Sequence, residues 1–286
     1  MAGVLYSLVA LGFVLIYKAS GVFNFAQGAM VLFAALSLVR LMEHMPFAAA
    51  LIATLLIMLA LAVAIERLVL RPLVNQAGII LFMATIGLTY FLDGFGQTLW
   101  GSDVYQLHIG MPKEPVMILQ NVFEGGILIN TEDVYAAVIA AILVAALALF
   151  FQKTATGRAL RAVADDHQAA QAVGIPLNRI WVIVWAVSGV VALVAGMIWG
   201  SKLGVQFSLS LIALKALPVV ILGGFESVPG AIVGGLIIGV GEKLSEVYLG
   251  PYVGGGIEIW FAYVLALLFL LVRPEGLFGE KHIDRV

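Results

Sequence analysis

Four polar side chains stand where two apolar stretches of the chain are interrupted: Asn24 and Gln27 in Gly21-Val-Phe-Asn-Phe-Ala-Gln-Gly28, and Glu226 and Ser227 in Gly223-Gly-Phe-Glu-Ser-Val-Pro-Gly230. Amide, carboxylate and hydroxyl groups at such breaks do one of two jobs. They line a path for a polar solute, or they satisfy backbone groups that the break leaves unpaired. Asp93 and Lys215 lie inside apolar runs, where each needs water, an interface or an opposite charge, and they are candidate partners of one another. No catalytic set is legible. The chain has no Cys, and His44, His108, His167 and His282 are too far apart for a local metal motif. The Gly-rich stretches at 223–224, 234–235 and 254–256 lack a following Gly-Lys-Ser/Thr, so no phosphate loop is formed; close helix packing accounts better for Gly234 and Gly239.

The elements that position these groups follow from composition. Of 286 residues 63% are apolar and 11% charged, against roughly 25% charged in an average soluble domain. A net charge of −2 with scattered basic residues excludes nucleic acid as a partner. The lipid bilayer is the expected surrounding. Apolar runs predict spans at residues 2–17, 22–39, 47–65, 79–99, 134–151, 180–200, 211–222, 230–240 with its continuation, and 257–272. The seventh and eighth are expected to be short and broken. The fold class is therefore an all-α polytopic membrane protein of about eight or nine transmembrane helices with interrupted or re-entrant segments, forming one domain over 1–286.

Basic residues orient it. With the N-terminus outside, ten of the fifteen Lys and Arg fall inside, among them Lys18, Arg67, Arg71, Lys153, Arg158, Arg161, Arg179 and Arg273. The loop 100–133 is then external, and residues 116–119 and 127–129 are expected to pair there as a hairpin. The loop 152–179 and the C-terminus are cytoplasmic. Sliding the chain by 202 residues superposes 21–31 on 223–233 with five identities in eleven, a weak parallel repeat in which both copies carry a helix break. Within the cytoplasmic loop, residues 158–173 read as an Ala-rich helix ended by Gly174 and followed by Pro176. It lies on lipid headgroups or, as its Ala content and Asp165 and Asp166 favour, docks into a groove of another protein. Leu160, Ala164 and His167 share one stripe of that helix, the expected docking face.

In these segments the chain resembles the integral-membrane permeases of branched-chain amino acid ABC importers, the LivH type. The resemblance rests on Gly12-Phe-Val-Leu-Ile-Tyr17 with Gly21–28, on Gly157-Arg-Ala-Leu-Arg-Ala162 with Gly174-Ile175, and on Leu217-Pro-Val-Val-Ile-Leu-Gly-Gly224. Pro229-Gly-Ala-Ile-Val-Gly-Gly235 and Arg273-Pro-Glu-Gly-Leu-Phe278 complete it. Relatives commonly carry a longer stretch before the first helix, so the first span is expected to be short here. The resemblance implies a bacterial inner-membrane subunit that pairs with a second, related permease of the LivM type, two cytoplasmic ATPases and an extracytoplasmic solute-binding protein. It implies no enzyme activity and no cofactor on this chain, ATP and Mg being bound by the ATPases. Arg158, Leu160, Arg161, Ala164, Asp165, Asp166, His167 and Gly174 would then belong to the coupling element, and Asn24, Gln27, Glu226 and Ser227 to the path. Urea, short amides and aromatic acids are alternative solutes of related permeases. An ion-coupled secondary transporter, with Asp93 and Glu226 as the coupling carboxylates, is a less favoured reading.

Overall fold

The computed structural model describes residues 2–73, 76–118, 127–165 and 167–279; side chains at 118, 127, 165, 167 and 168 lie outside the description. It contains eleven α-helices among these residues: α1 Ala2–Ser20, α2 Gln27–Met42, α3 Phe47–Ile65, α4 Gly78–Trp100, α5 Thr131–Lys153, α6 Ala155–Asp165, α7 His167–Ala172, α8 Leu177–Leu203, α9 Ile212–Gly223, α10 Val228–Val253 and α11 Ile257–Val272. Six are long and apolar enough to cross a membrane, and three shorter apolar helices, α2, α9 with its leading turn, and α11, bring the set to the nine expected.

Local chemistry sets the ends. Pro46 caps α3 and Pro229 stands in the first turn of α10, positions where a missing N–H costs nothing. Glu132 and Asp133 open α5 and Lys153 closes it, each complementing the helix dipole. Two spans depart from expectation. The second starts at Gln27 rather than Val22, because 21–26 is the break itself. The eighth is not short: α10 runs uninterrupted for 26 residues through Gly234, Gly235, Gly239 and Gly241, with Pro251 only in its last turn. Glycine breaks helices in water, but in lipid the backbone has no other hydrogen-bonding partner.

The bundle is built around its first helix. α1 packs against α8, α9 and α10 and is 78% buried, whereas α5 is 17% buried. Small residues permit this. A Cβ on Gly3 would lie 2.3 Å from the Gly235 carbonyl oxygen, and one on Gly239 would lie 2.2 Å from the Gly3 nitrogen. Gly234 likewise meets α9, its Cβ position 2.8 Å from the Val219 oxygen. The close packing expected of Gly234 and Gly239 is present, and it is how membrane helices associate without a hydrophobic driving force between them.

Strands β1 Pro115–Ile118 and β2 Ile127–Asn130 form the expected antiparallel hairpin, pairing Val116 with Ile129. The segment that leads into it is held to the bundle by Tyr105, whose backbone exchanges two hydrogen bonds with Val205 (3.0 and 2.7 Å). Nearby, Ser201 at the end of α8 donates to Glu132 (2.8 Å) and Lys202 pairs with Asp133, fastening the start of α5.

Candidate functional site

The first break is a closed polar knot. Gly21, at φ +66°, ends α1, and the Asn24 side-chain oxygen accepts from the Ala26 amide (3.1 Å), turning the chain into α2. Asn24 and Gln27 are both fully buried. The Gln27 Oε1 accepts from the Ser188 hydroxyl of α8 (2.6 Å) and from the Asn24 amide (3.4 Å), while its Nε2 has no partner. Gly12 makes room for it, since a Cβ there would stand 2.1 Å from Nε2. Thr85 of α4 closes the other side, its hydroxyl facing the Phe23 carbonyl (3.2 Å) and accepting from the Phe25 amide (3.3 Å). Ser188 and Thr85 escaped the sequence reading, and Gly12 entered it only as the start of a motif, not as the seat of Gln27. Their only signal was a single polar or small residue inside an apolar run.

The second break is open. Ser227 caps α10, its side chain accepting from the Gly230 amide (3.0 Å). The carbonyls left free at the end of α9 are met by the tail: Leu277 and Phe278 donate their amides to Leu222 (2.8 Å) and Gly223 (3.1 Å). Two of the distant motifs, 217–224 and 273–278, thus form one unit. Gly276 at φ +82° permits it, because a Cβ there would fall 2.7 Å from the Gly224 nitrogen.

Glu226 and Ser227 line a cavity of about 400 Å³ between α1, α5, α6 and α10, together with Lys18, Leu160 and Arg161. Asn24 and Gln27 are not among its lining residues, so the four polar groups are divided between a buried knot and an open cavity. What joins the breaks is aromatic. Phe23 and Phe225, equivalent in the repeat, meet edge to face at 6.0 Å, and Tyr17 lies 5.4 Å from Phe225.

The two intramembrane charges do not pair. α4, which carries Asp93, packs chiefly on α2, whereas α9, which carries Lys215, packs chiefly on α10, α1 and α11, and no ion pair joins the two among the described residues. Lys215 stands 6.0 Å from the Tyr6 ring centroid and close to Glu242 of α10, which is 2% exposed. Glu242 also lies beside Tyr6, and it was not singled out in the sequence, where it falls in the continuation of the eighth span beyond residue 240. Asp93 keeps one buried oxygen without a partner.

The expected loop helix starts at Ala155 and comprises α6 and α7; residue 166, and with it Asp166, lies outside the described residues, as do the side chains of Asp165 and His167. Gly174, at φ +85°, follows α7 in the left-handed geometry expected of it. The face is corrected. Leu160 is 3% exposed and lines the cavity, so the Leu160–Ala164 stripe is turned toward the bundle and Ala164 is half-buried. Arg158 and Val173 (77% exposed) stand outward instead. Arg161 donates to the Phe151 carbonyl (2.7 Å), tying α6 to the end of α5.

A family model described as the permease component of branched-chain amino acid transport systems matches residues 1–273. The high-affinity branched-chain amino acid transport system permease protein LivH of Salmonella typhimurium is 29% identical, covering 99% of this chain and 94% of its own length. BraD of Pseudomonas aeruginosa, a permease protein of a system with the same description, is 29% identical with the same coverage. The probable LivH of Methanocaldococcus jannaschii is 29% identical over 95% of this chain and 88% of its own length. No solved structure matches the chain.

Proposed function

We propose that this chain, which belongs to the family of branched-chain amino acid transport system permease components, is the membrane subunit of an ATP-driven importer and passes branched-chain, apolar amino acids. The family match along 1–273 carries the reading. It is supported by two helix breaks, equivalent in the repeat, that meet at Phe23 and Phe225 around one central helix. No phosphate loop is present in the sequence, so hydrolysis belongs to two ATPase subunits. A second permease, of the LivM type, completes the membrane part, and an extracytoplasmic binding protein delivers the solute to the face that carries the β1–β2 hairpin.

In this reading α6 and α7 are the coupling element on the cytoplasmic side. α6 packs against α1, α5 and α8 and contributes Leu160 and Arg161 to the cavity wall. A push from an ATPase on the outward face of α6 is therefore delivered directly to the walls of the cavity that holds the second break. Alternating access follows if those walls separate in one nucleotide state and close in the other.

The test is uptake by proteoliposomes holding the full complex: ATP inside the ATPase compartment should drive accumulation of labelled leucine, with isoleucine and valine competing. Uptake driven by a proton or sodium gradient without ATP would overturn the reading in favour of a secondary transporter. Competition by urea, short amides or aromatic acids but not by leucine would reassign the solute.

A further inference from the structure

The cavity at the second break carries two charges of opposite sign that the chain itself leaves unused. Lys18 and Glu226 both line it, and neither makes an ion pair or hydrogen bond among the described residues. Each sits at a helix end that suits its charge. Lys18 lies in the last turn of α1, where the helix dipole favours a cation, and Glu226 lies just before the first turn of α10, where it favours an anion. The third charge is already engaged, since the Arg161 guanidinium is held by the Phe151 carbonyl. Apart from Gln152 and Ser227 the rest of the wall is apolar, and it includes Val144 and Ala148, one turn apart on α5, and Ile232 of α10. The volume, about 400 Å³, falls within the roughly 300–1,000 Å³ of small-molecule sites.

We propose that this cavity is a binding site, within the single chain, for a zwitterionic amino acid with an apolar side chain. The carboxylate is directed to Lys18, the ammonium to Glu226, and the side chain to Val144, Ala148 and Ile232. The proposal rests on the importer reading above and adds to it a place where the solute pauses beside α6. Because α6 forms part of the same wall through Leu160, occupancy and the position of the coupling element are linked.

The chain has no Cys, so a single Ala148→Cys substitution gives a unique label site on the cavity wall. The full complex carrying it, in nanodiscs, is exposed to a water-soluble maleimide with and without L-leucine. Leucine should slow labelling at least fivefold. Isoamylamine, which lacks the carboxylate, and isocaproate, which lacks the ammonium, should not. Protection should be lost in Lys18→Met and in Glu226→Gln and return in Lys18→Arg and Glu226→Asp, which separates charge recognition from misfolding. ATP-dependent leucine uptake by the same complex is measured in parallel. Uptake without protection overturns the site and leaves the importer reading standing; absence of leucine uptake overturns both. Labelling that responds to the phosphatidylethanolamine content of the nanodisc and not to leucine overturns the proposal in favour of a lipid headgroup.

Discussion

Gln27 shows what a buried amide does when its surroundings are shaped for it. Its oxygen is doubly bonded, by Ser188 and Asn24, and its whole side chain occupies the space that Gly12 vacates. Ser188→Ala removes the shorter of the two bonds and should lower stability by about 1–3 kcal/mol, the cost of an undersatisfied buried acceptor. Gly12→Ala should cost more, because the new methyl drives Gln27 out of both bonds at once. Thermal unfolding of the purified chain in detergent, read by intrinsic Trp fluorescence, checks both; an unchanged midpoint in Gly12→Ala would show that Gln27 has another place to go. Asn24 and Gln27 were legible in the sequence because polar residues between two apolar runs are conspicuous. Their partners were not. Ser188 lies 161 residues from Gln27, and no local pattern states which face of one span meets which face of another. Lys215 and Asp93 illustrate the same limit, since two charges inside apolar runs suggest a pair until packing gives their helices different main neighbours.

Helices announced themselves by period and composition, so α3 and α11 were read with the bounds they have, while α10 was cut short by its own glycines. Direction of facing was harder than existence. α6 was legible as a helix from its Ala content and the Gly174 stop, but the stripe through Leu160 belongs to the bundle, because an Ala-rich helix at a membrane surface has an apolar side to hide before any partner arrives. The outward residues are therefore the ones to change. Val173→Asp should reduce co-purification of the ATPase about tenfold or more, equivalent to at least ~1.4 kcal/mol. Leu160→Ala should leave assembly intact. Pull-down of the ATPase subunits from solubilised membranes checks this, and normal recovery with Asp at 173 would move the docking surface elsewhere on the cytoplasmic face.

Across the whole molecule, the β1–β2 hairpin and α6 sit at opposite ends of α5, a helix of 23 residues that spans about 35 Å at 1.5 Å per residue. A reporter inserted near Lys113 should be external and one fused after Val286 cytoplasmic, as the distribution of basic residues also requires; protease protection of both on the same side would break the topology. The placement of α1 at the centre has a further outcome in time. It leaves the ribosome well before the helices that cover it, since α8, α9 and α10 start only at residue 177 and end at residue 253. At ~5–20 residues per second the interval between residues 20 and 177 lasts on the order of 10–30 s. Throughout it the Gly3 and Ser7 face of α1, which α10 covers in the folded chain, has no α10 to meet. Its mean hydropathy of 1.8 is what lets it wait in the bilayer as an independent span. The core therefore closes late and by its most distant contacts, which makes closure slow. A chain halted before α8 would leave most of the surface of α1 permanently unclaimed, open to membrane quality-control proteases.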